Sequence, residues 1–299
     1  MMTFNIPPPD ILLQLSLNGA LGGAMYGVAA VGLSLIFGTM RLIFLAQGAM
    51  IILAAYFVRA LFYGLGIDPF LSLLIVVPVG LVVGWLIYQG LFRKAAAAED
   101  RNISLLIAVG LMFLIQNLMT VVWGGNTAAI VTSYTASGIE ILGVRTSFTR
   151  SMGFLIALAG TGLVVLFLRK TLVGKAVRAA SEDMEAATLM GISPHRVNAI
   201  AFAIGIALAG AAGVAVATTF PFNPFAGFIF SLKALVALAL GGIGNVAGAL
   251  AGGILLGLIE AYVQYFISGG WTNAIAYGVF LAVLMFKPEG LFSRPYKKA

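Results

Sequence analysis

Long apolar runs without charge dominate the chain, and short polar segments punctuate them. About 20 apolar residues cross a bilayer as a helix, so each run reads as a span. Ile11 to Met40 is the first, Leu42 to Val58 a shorter second, and Pro69 to Phe92 a third. Asn102 to Trp123 makes the fourth, after which the chain turns polar through GGNTAAIVTSYTASGIE. Ser151 to Leu168 and Val197 to Thr219 follow, and Ala234 to Ile259 and Ala261 to Phe286 close the series around Glu260. The pattern predicts an all-α, polytopic membrane helix bundle forming a single domain over residues 1–299. It contains one long hydrophilic stretch, 169–197.

Composition narrows the classes. The chain is 61% hydrophobic and 9% charged, with a mean hydropathy of +1.07. A soluble domain carries about 25% charged residues, so soluble enzymes and disordered chains are excluded. The absence of cysteine removes disulfides, thiolate chemistry and cysteine metal sites. Glycine is abundant, 37 of 299 residues, as suits closely packed transmembrane helices. Gly19xxxGly23xxxGly27, Gly248xxxGly252 and Gly253xxxGly257 each place small residues on one helix face, and core packing is their reading.

The net charge of +7 does not point to nucleic acid, because of where the cations lie. Positive residues gather on the cytoplasmic side of membrane proteins. Assigning Arg41, the Arg93–Arg101 loop, the Arg169–Arg196 loop and the Lys287–Lys298 tail to that side accounts for all but four of the 17 basic residues. The four left over are Arg59, Arg145, Arg150 and Lys233. The N-terminus is then outside and the C-terminus inside. MMTFNIPPPD lacks a basic n-region, so the first apolar segment is expected to stay as a helix.

Parity constrains the end of the chain. Six crossings bring Thr219 outside, and the last span must run inward to Lys287. Ser231 to Ser268 must therefore cross twice or not at all. This stretch is short for two full spans and is broken by GGIGN at Gly241–Asn245. About seven full crossings plus a broken or re-entrant helical pair are expected. Irregular backbone at membrane depth is tolerated where it is buried in protein or lines a cavity. Gly241, Gly242, Gly244 and Asn245 are thus candidates for a translocation path, with tight helix packing as the competing reading. The GxGxxA spacing at Gly242–Ala247 is not a dinucleotide site, because no strand precedes it and its flanks are apolar helix.

Glu260 and Lys233 are the charges deepest in apolar sequence. Such charges are costly and are paired or face a cavity. Glu260 is a path candidate, while a mutual salt bridge or a snorkelling Lys233 is the plainer reading. His195 reads as a solvated loop residue with no metal site around it. In the hydrophilic stretch, Ser181 suits an N-cap, with Glu182 and Asp183 in the first turn. Gly191 suits C′, and Pro194 follows. A helix of two to three turns outside the bilayer is expected. A plain connector is more often 2–8 residues, so the stretch reads as a docking surface.

These residues carry a resemblance. Glu185-Ala186-Ala187, three residues and then Gly191 resembles the EAA loop of ABC importer permeases, although Ile200 stands one place early for that pattern. GKAVRAASEDMEAATLMGI, FNPFAGF (Phe222–Phe228), LKALVALALGGIGNVAGALAGGILLGLIEA (Leu232–Ala261) and NGALGGAMYGVAAVGLSLIFG (Asn18–Gly38) resemble LivH-type branched-chain amino-acid permeases. The resemblance spans nearly the whole chain. It implies a permease subunit in the inner or plasma membrane of a bacterium or archaeon, moving branched-chain or related amino acids inward by alternating access. The implied partners are a second LivM-like permease, two ATPase subunits, an external substrate-binding protein and the lipid bilayer.

The resemblance also implies that Ser181, Glu182, Asp183, Met184, Glu185, Ala186, Ala187, Leu189, Met190 and Gly191 form the ATPase-coupling element. Met184, Ala187, Leu189 and Met190 would fill the socket, and Lys175, Arg178 and Arg196 would steer acidic ATPase surface or lipid headgroups. ATP is expected on the partner subunits and no cofactor on this chain, since no GxxxxGK[ST] loop is present. No catalytic role is expected either: the Gly124–Arg150 loop has hydroxyls but no histidine to activate them. One departure stands out. Where the family reads asparagine-phenylalanine-alanine-histidine-glycine, this chain has Phe44-Leu45-Ala46-Gln47-Gly48. Gln47 therefore joins the path candidates, and the substrate can differ from leucine, isoleucine and valine. Urea, short-amide or sugar permeases share the architecture. A stand-alone secondary transporter is the rival class, disfavoured by scarce intramembrane charge and the lack of a strong internal repeat.

Overall fold

The computed structural model describes residues 8–95, 101–135, 137–141, 143–242, 244–267, 269–287 and 290–292. Glu99, Ile243 and the tail cations Arg294, Lys297 and Lys298 lie outside the described residues. The chain opens with α1 (Pro9–Met40), begun by a proline whose missing N–H costs nothing at a helix start and ended at Arg41 in the left-handed region. Residues 41–46 turn back into the bundle before α2 (Gln47–Leu65). α3 (Leu73–Ile87) continues through a π-helical turn, Tyr88–Phe92, into the one-turn α4 (Arg93–Ala95). After α5 (Arg101–Trp123) comes an antiparallel hairpin, β1 (Gly138–Ile141) and β2 (Val144–Ser147), with Glu140 opposite Arg145.

The second half holds α6 (Phe148–Lys170), α7 (Leu172–Glu182), α8 (Met184–Leu189) and α9 (Pro194–Thr219). It ends with α10 (Gly227–Gly241), α11 (Val246–Phe266) and the short α12 (Thr272–Phe286). Among the described residues, 8 helices are long and apolar enough to cross a membrane. They are distinct in burial: 89% of the apolar window of α9 is buried, against 17% in Leu73–Ala95. α1 and α9 are therefore interior posts, while α3 and α5 turn Leu74, Val82, Leu106 and Phe113 outward as a lipid-facing surface does.

Small residues set the closest approaches. α1 packs along α11 with Gly19, Gly23 and Gly27 against Gly253, Gly257 and Leu250, and a Cβ at Gly23 would meet the Gly253 carbonyl and the Gly257 backbone. The glycine stripes are helix packing, as their spacing predicted. The second span starts later than its hydropathy suggested because 41–46 is anchored by its own side chain. Phe44 is buried edge-on against Phe92 and Phe202, at centroid distances of 5.7 and 4.9 Å.

The broken pair is present as α10 and α11, antiparallel and joined by residues 242–245. It begins earlier than Ser231. Asn223 accepts a hydrogen bond from the Phe225 N–H (3.0 Å) and starts a 3-10 turn, Pro224–Ala226, that leads into α10. With that start, Pro224–Gly241 and Val246–Phe266 are 18 and 21 residues long, enough for each limb to cross. The break also sits elsewhere than expected. A Cβ on Gly38, near the end of α1, would lie 3.4 Å from Ser181 Cβ and 3.9 Å from Gly244 Cα. The turn is thus at the end of the bundle, beside the hydrophilic stretch.

The bundle has two chemically distinct ends. At the first, Gly38, Ser181 and Gly244 meet, the Tyr88 hydroxyl lies 3.5 Å from His195 Nδ1, and the Leu291 N–H donates to the Leu240 carbonyl. Arg41, Arg93, residues 169–196 and Lys287 gather there. At the opposite end the Tyr134 hydroxyl donates to Asp68 Oδ2 (2.7 Å) and Thr146 Oγ1 to Asn18 Oδ1 (2.9 Å). Burial and the adjoining Asp68 carboxylate push the Tyr134 hydroxyl above its ordinary range.

Candidate functional site

The hydrophilic stretch folds as two helices rather than one. Thr171 caps α7 by accepting from the Gly174 N–H (2.9 Å), and Gly174, Val177 and Ala180 seat that helix on the bundle. Ser181 is not an N-cap. It lies inside α7, and its hydroxyl donates to the Arg178 carbonyl (2.7 Å). The chain breaks one residue later than Glu182, where extended Asp183 caps α8 by accepting from the N–H groups of Glu185 (2.9 Å) and Ala186 (3.0 Å). An acid at this position satisfies two orphan donors and faces the positive helix end.

α8 spans 6 residues, shorter than the two to three turns expected. Its exit is a Schellman arrangement: the Gly191 N–H donates to Thr188 O (3.0 Å) and the Ile192 N–H to Ala187 O (3.1 Å). Gly191 sits at φ +85°, which glycine adopts without strain. The four apolar residues expected to fill a partner's socket divide. Ala187 is buried and Met184 half-buried against this chain's own core, whereas Leu189 and Met190 are 88% and 83% exposed.

Glu260 and Lys233 pair, with Nζ 2.8 Å from Oε1 and 3.0 Å from Oε2. Lys233 also donates to the Tyr26 hydroxyl (3.1 Å). Three helices, α1, α10 and α11, are tied by this group. It borders a cavity of about 450 Å³ reached from the opposite end, with Asn18 and Gly22 of α1, Arg150 of α6 and Phe220 among its walls. Arg150 Nη1 lies 3.5 Å from Asn18 Oδ1.

The other path candidates are elsewhere, so the structure does not gather the six into one site. Gln47 is fully buried, its Nε2 donating to the Gly205 carbonyl (3.2 Å) and the Ala29 carbonyl (3.4 Å). It ties α1, α2 and α9, and neither it nor Phe44 lines the cavity. Gly241 packs on the Gly248 backbone, and Gly242 and Gly244 turn the chain at positive φ. Asn245 caps α11 through the Gly248 N–H (3.0 Å) and donates to the Phe292 carbonyl (2.8 Å).

Arg150, Asn18, Tyr26 and Gly22 were not singled out by motif. A signal existed for Arg150 and Lys233: both are among the four cations the charge partition left unexplained. Tyr26 and Gly22 gave none, since an aromatic or a glycine in an apolar helix reads as packing.

Residues 15–286 match the family described as branched-chain amino acid transport system / permease component. The high-affinity branched-chain amino acid transport system permease protein LivH of Escherichia coli K12 is 30% identical, covering 95% of this chain and 96% of LivH. The corresponding permease protein BraD of Pseudomonas aeruginosa is 29% identical over the same shares, 95% and 96%. In solved structures, PsaBC from Streptococcus pneumoniae in complex with Fab shares the fold, with a TM-score of 0.51 at 13% identity over 91% of this chain and 92% of that one. The chain therefore belongs to the branched-chain amino acid transport permease family, whose members named here are transport components, and the 8 helices of membrane-crossing length among the described residues make it a multi-pass membrane member.

Proposed function

We propose that this chain is the membrane-embedded subunit of an ATP-driven ABC importer that moves branched-chain or related amino acids inward by alternating access. The observation that carries the coupling role is α8: a short helix, capped at both ends, that holds Leu189 and Met190 out where the cations gather. Exposed large apolar side chains on a rigid, polar-rimmed mount mark a protein contact. In this reading that end is cytoplasmic and an ATPase subunit covers the two side chains. Two ATPase subunits, a second LivM-like permease and an external binding protein complete the importer, and ATP binds the partners. The N-terminus lies outside and the C-terminus inside, in the inner or plasma membrane of a bacterium or archaeon. ATP closes the ATPase pair, α8 moves with it, and the path changes side. This chain performs no covalent chemistry.

The test is ATP-dependent leucine uptake by the importer reconstituted with its partner chains. Leu189→Asp with Met190→Asp should leave the chain in the membrane and abolish both uptake and stable ATPase association. Full uptake by that variant would remove α8 from coupling. Uptake of urea, an amide or a sugar in place of leucine would reassign the substrate, and uptake driven by an ion gradient without ATP would reassign the class. Single cysteines at Ser181 and Ser133, in this cysteine-free chain, should react with an impermeant reagent from inside and outside respectively.

A further inference from the structure

The cavity behind Asn18 is lined by Arg150 and by the Glu260 of the Lys233–Glu260 pair. Its volume, about 450 Å³, is that of a small-solute site. Its lining holds two charged side chains, Arg150 and Glu260, and the glycines Gly19, Gly22, Gly23 and Gly257 among larger polar and aromatic residues. On one wall stands Arg150. Among the described residues the only ion pair is Lys233–Glu260, so the Arg150 guanidinium is left with neutral Asn18, 3.5 Å away. Glu260, held by Lys233, also lines the cavity. A carboxylate oxygen can accept more than one hydrogen bond, and Glu260 still borders the cavity.

α1 and α11 run antiparallel, and a Cβ on Gly19 would lie 2.9 Å from Ala261 Cβ and 2.9 Å from the Gly257 carbonyl. Glu260, next to Ala261, therefore sits on the face of α11 that packs along α1 and lines the same cavity as Asn18 and Arg150. Gly22 also lines the cavity, and an added Cβ there would meet nothing within 4 Å. Arg150 lines the cavity with no carboxylate partner among the described residues, and a ligand carboxylate entering the cavity supplies one.

We infer that this cavity is a binding site for a free α-amino acid in its zwitterionic form, resting on the amino-acid reading above. Arg150, steadied by Asn18, takes the α-carboxylate, for which its planar fork is suited. Glu260 takes the α-ammonium on the lone pairs that Lys233 leaves. Lys233 orients the Glu260 carboxylate and, through Tyr26, fixes it to α1. The ligand's side chain lies over Gly22, where the missing Cβ gives an aliphatic group room. A neutral sugar or urea would satisfy neither pole with opposite charge.

The assembled importer in proteoliposomes tests this through the chain's lack of cysteine. Gly22→Cys places a thiol in the open space without a clash. Its reaction with a small methanethiosulfonate should slow at least about tenfold in saturating leucine, while α-ketoisocaproate, lacking the ammonium, and isoamylamine, lacking the carboxylate, protect far less, as the loss of one charge-assisted contact requires. Gly64→Cys, also free of neighbours within 4 Å, should show no leucine protection. Arg150→Gln should raise the KM for leucine at least about tenfold, the weight of one such contact, and Arg150→Lys should recover part of it. If the wild type carries leucine but leucine does not protect Gly22→Cys, or if the keto acid and the amine protect as well as leucine does, the site is refuted and the importer reading stands. If the wild type carries a neutral solute and no amino acid, both fall.

Discussion

The α10–α11 pair is interrupted by polar residues at two heights, and the two interruptions behave differently. At the 242–245 turn the polar capacity is consumed within the chain: Asn245 accepts from Gly248 and donates to Phe292, and the backbones of Gly241 and Gly248 touch. At the Lys233–Glu260 level the two charges satisfy each other, yet Arg150 keeps only a neutral partner and Gly22 faces space. A break whose hydrogen bonds close locally is a joint. A charge group beside an unfilled surface is a place for something else to bind. Both read alike in sequence, as polar or glycine interruptions of an apolar run.

The largest effect expected separates packed glycines from open ones. Gly257→Leu would drive its side chain into the backbone of Gly19 and Gly23. Backbone cannot move aside as a side chain can, so a loss above about 3 kcal/mol is expected, with little assembled protein recovered. Gly22→Leu, one helix away, should fold. Size-exclusion profiles of the fluorescently tagged chain in detergent check the contrast, and equal recovery of the two variants would erase the distinction between packed and open walls.

Next in size is the ion pair. Lys233→Met strands the Glu260 carboxylate, with 12% of its side chain exposed, against apolar helices. Removing one partner of a buried pair costs about 3–5 kcal/mol, and the melting temperature should fall accordingly. Lys233→Met with Glu260→Gln removes both charges and should recover most of the loss. A double variant as unstable as the single one would mean that Lys233 does not serve as the counter-charge.

Much of this architecture was legible because its physics is local. Span length, the glycine stripes and the gathering of cations at one end all follow from runs of adjacent residues. Gly191 was readable as C′ for the same reason. The capping residue was misplaced from Asp183 to Ser181 because both side chains suit a cap, and only the bend between α7 and α8 decides. Phe44 and Gln47 drew attention as departures from a family pattern, but the fold uses one in an aromatic cluster and the other to bridge three helices. The cavity was the least legible part. Asn18, Arg150 and Glu260 are far apart in the chain, and only the packing of α1 against α6 and α11 brings them to one cavity.

A smaller effect is expected at Gly191. Alanine there must hold φ near +85°, at a cost of about 1 kcal/mol. The helix exit should loosen without loss of the bundle. Amide exchange at Ile192, whose N–H is bonded to the Ala187 carbonyl, should quicken by roughly fivefold, the equivalent of that energy. Unchanged exchange would mean that tertiary contacts, and not the glycine, hold the end of α8.

The smallest effect tests the joint itself. Asn245→Ala deletes the cap of α11 and the bond to Phe292. Loss of an N-cap costs about 1 kcal/mol, and the turn is backed by glycine contacts that the substitution leaves alone. The variant should therefore melt a few degrees lower and transport at the wild-type rate once uptake is normalised to folded importer. The path reading of this turn expects the reverse, with unchanged melting and reduced uptake, because a side chain facing a solute contributes to its passage more than to the fold. The reverse outcome would move the turn from the structural interruption to the functional one, and both heights of the α10–α11 pair would then lie along the solute's route.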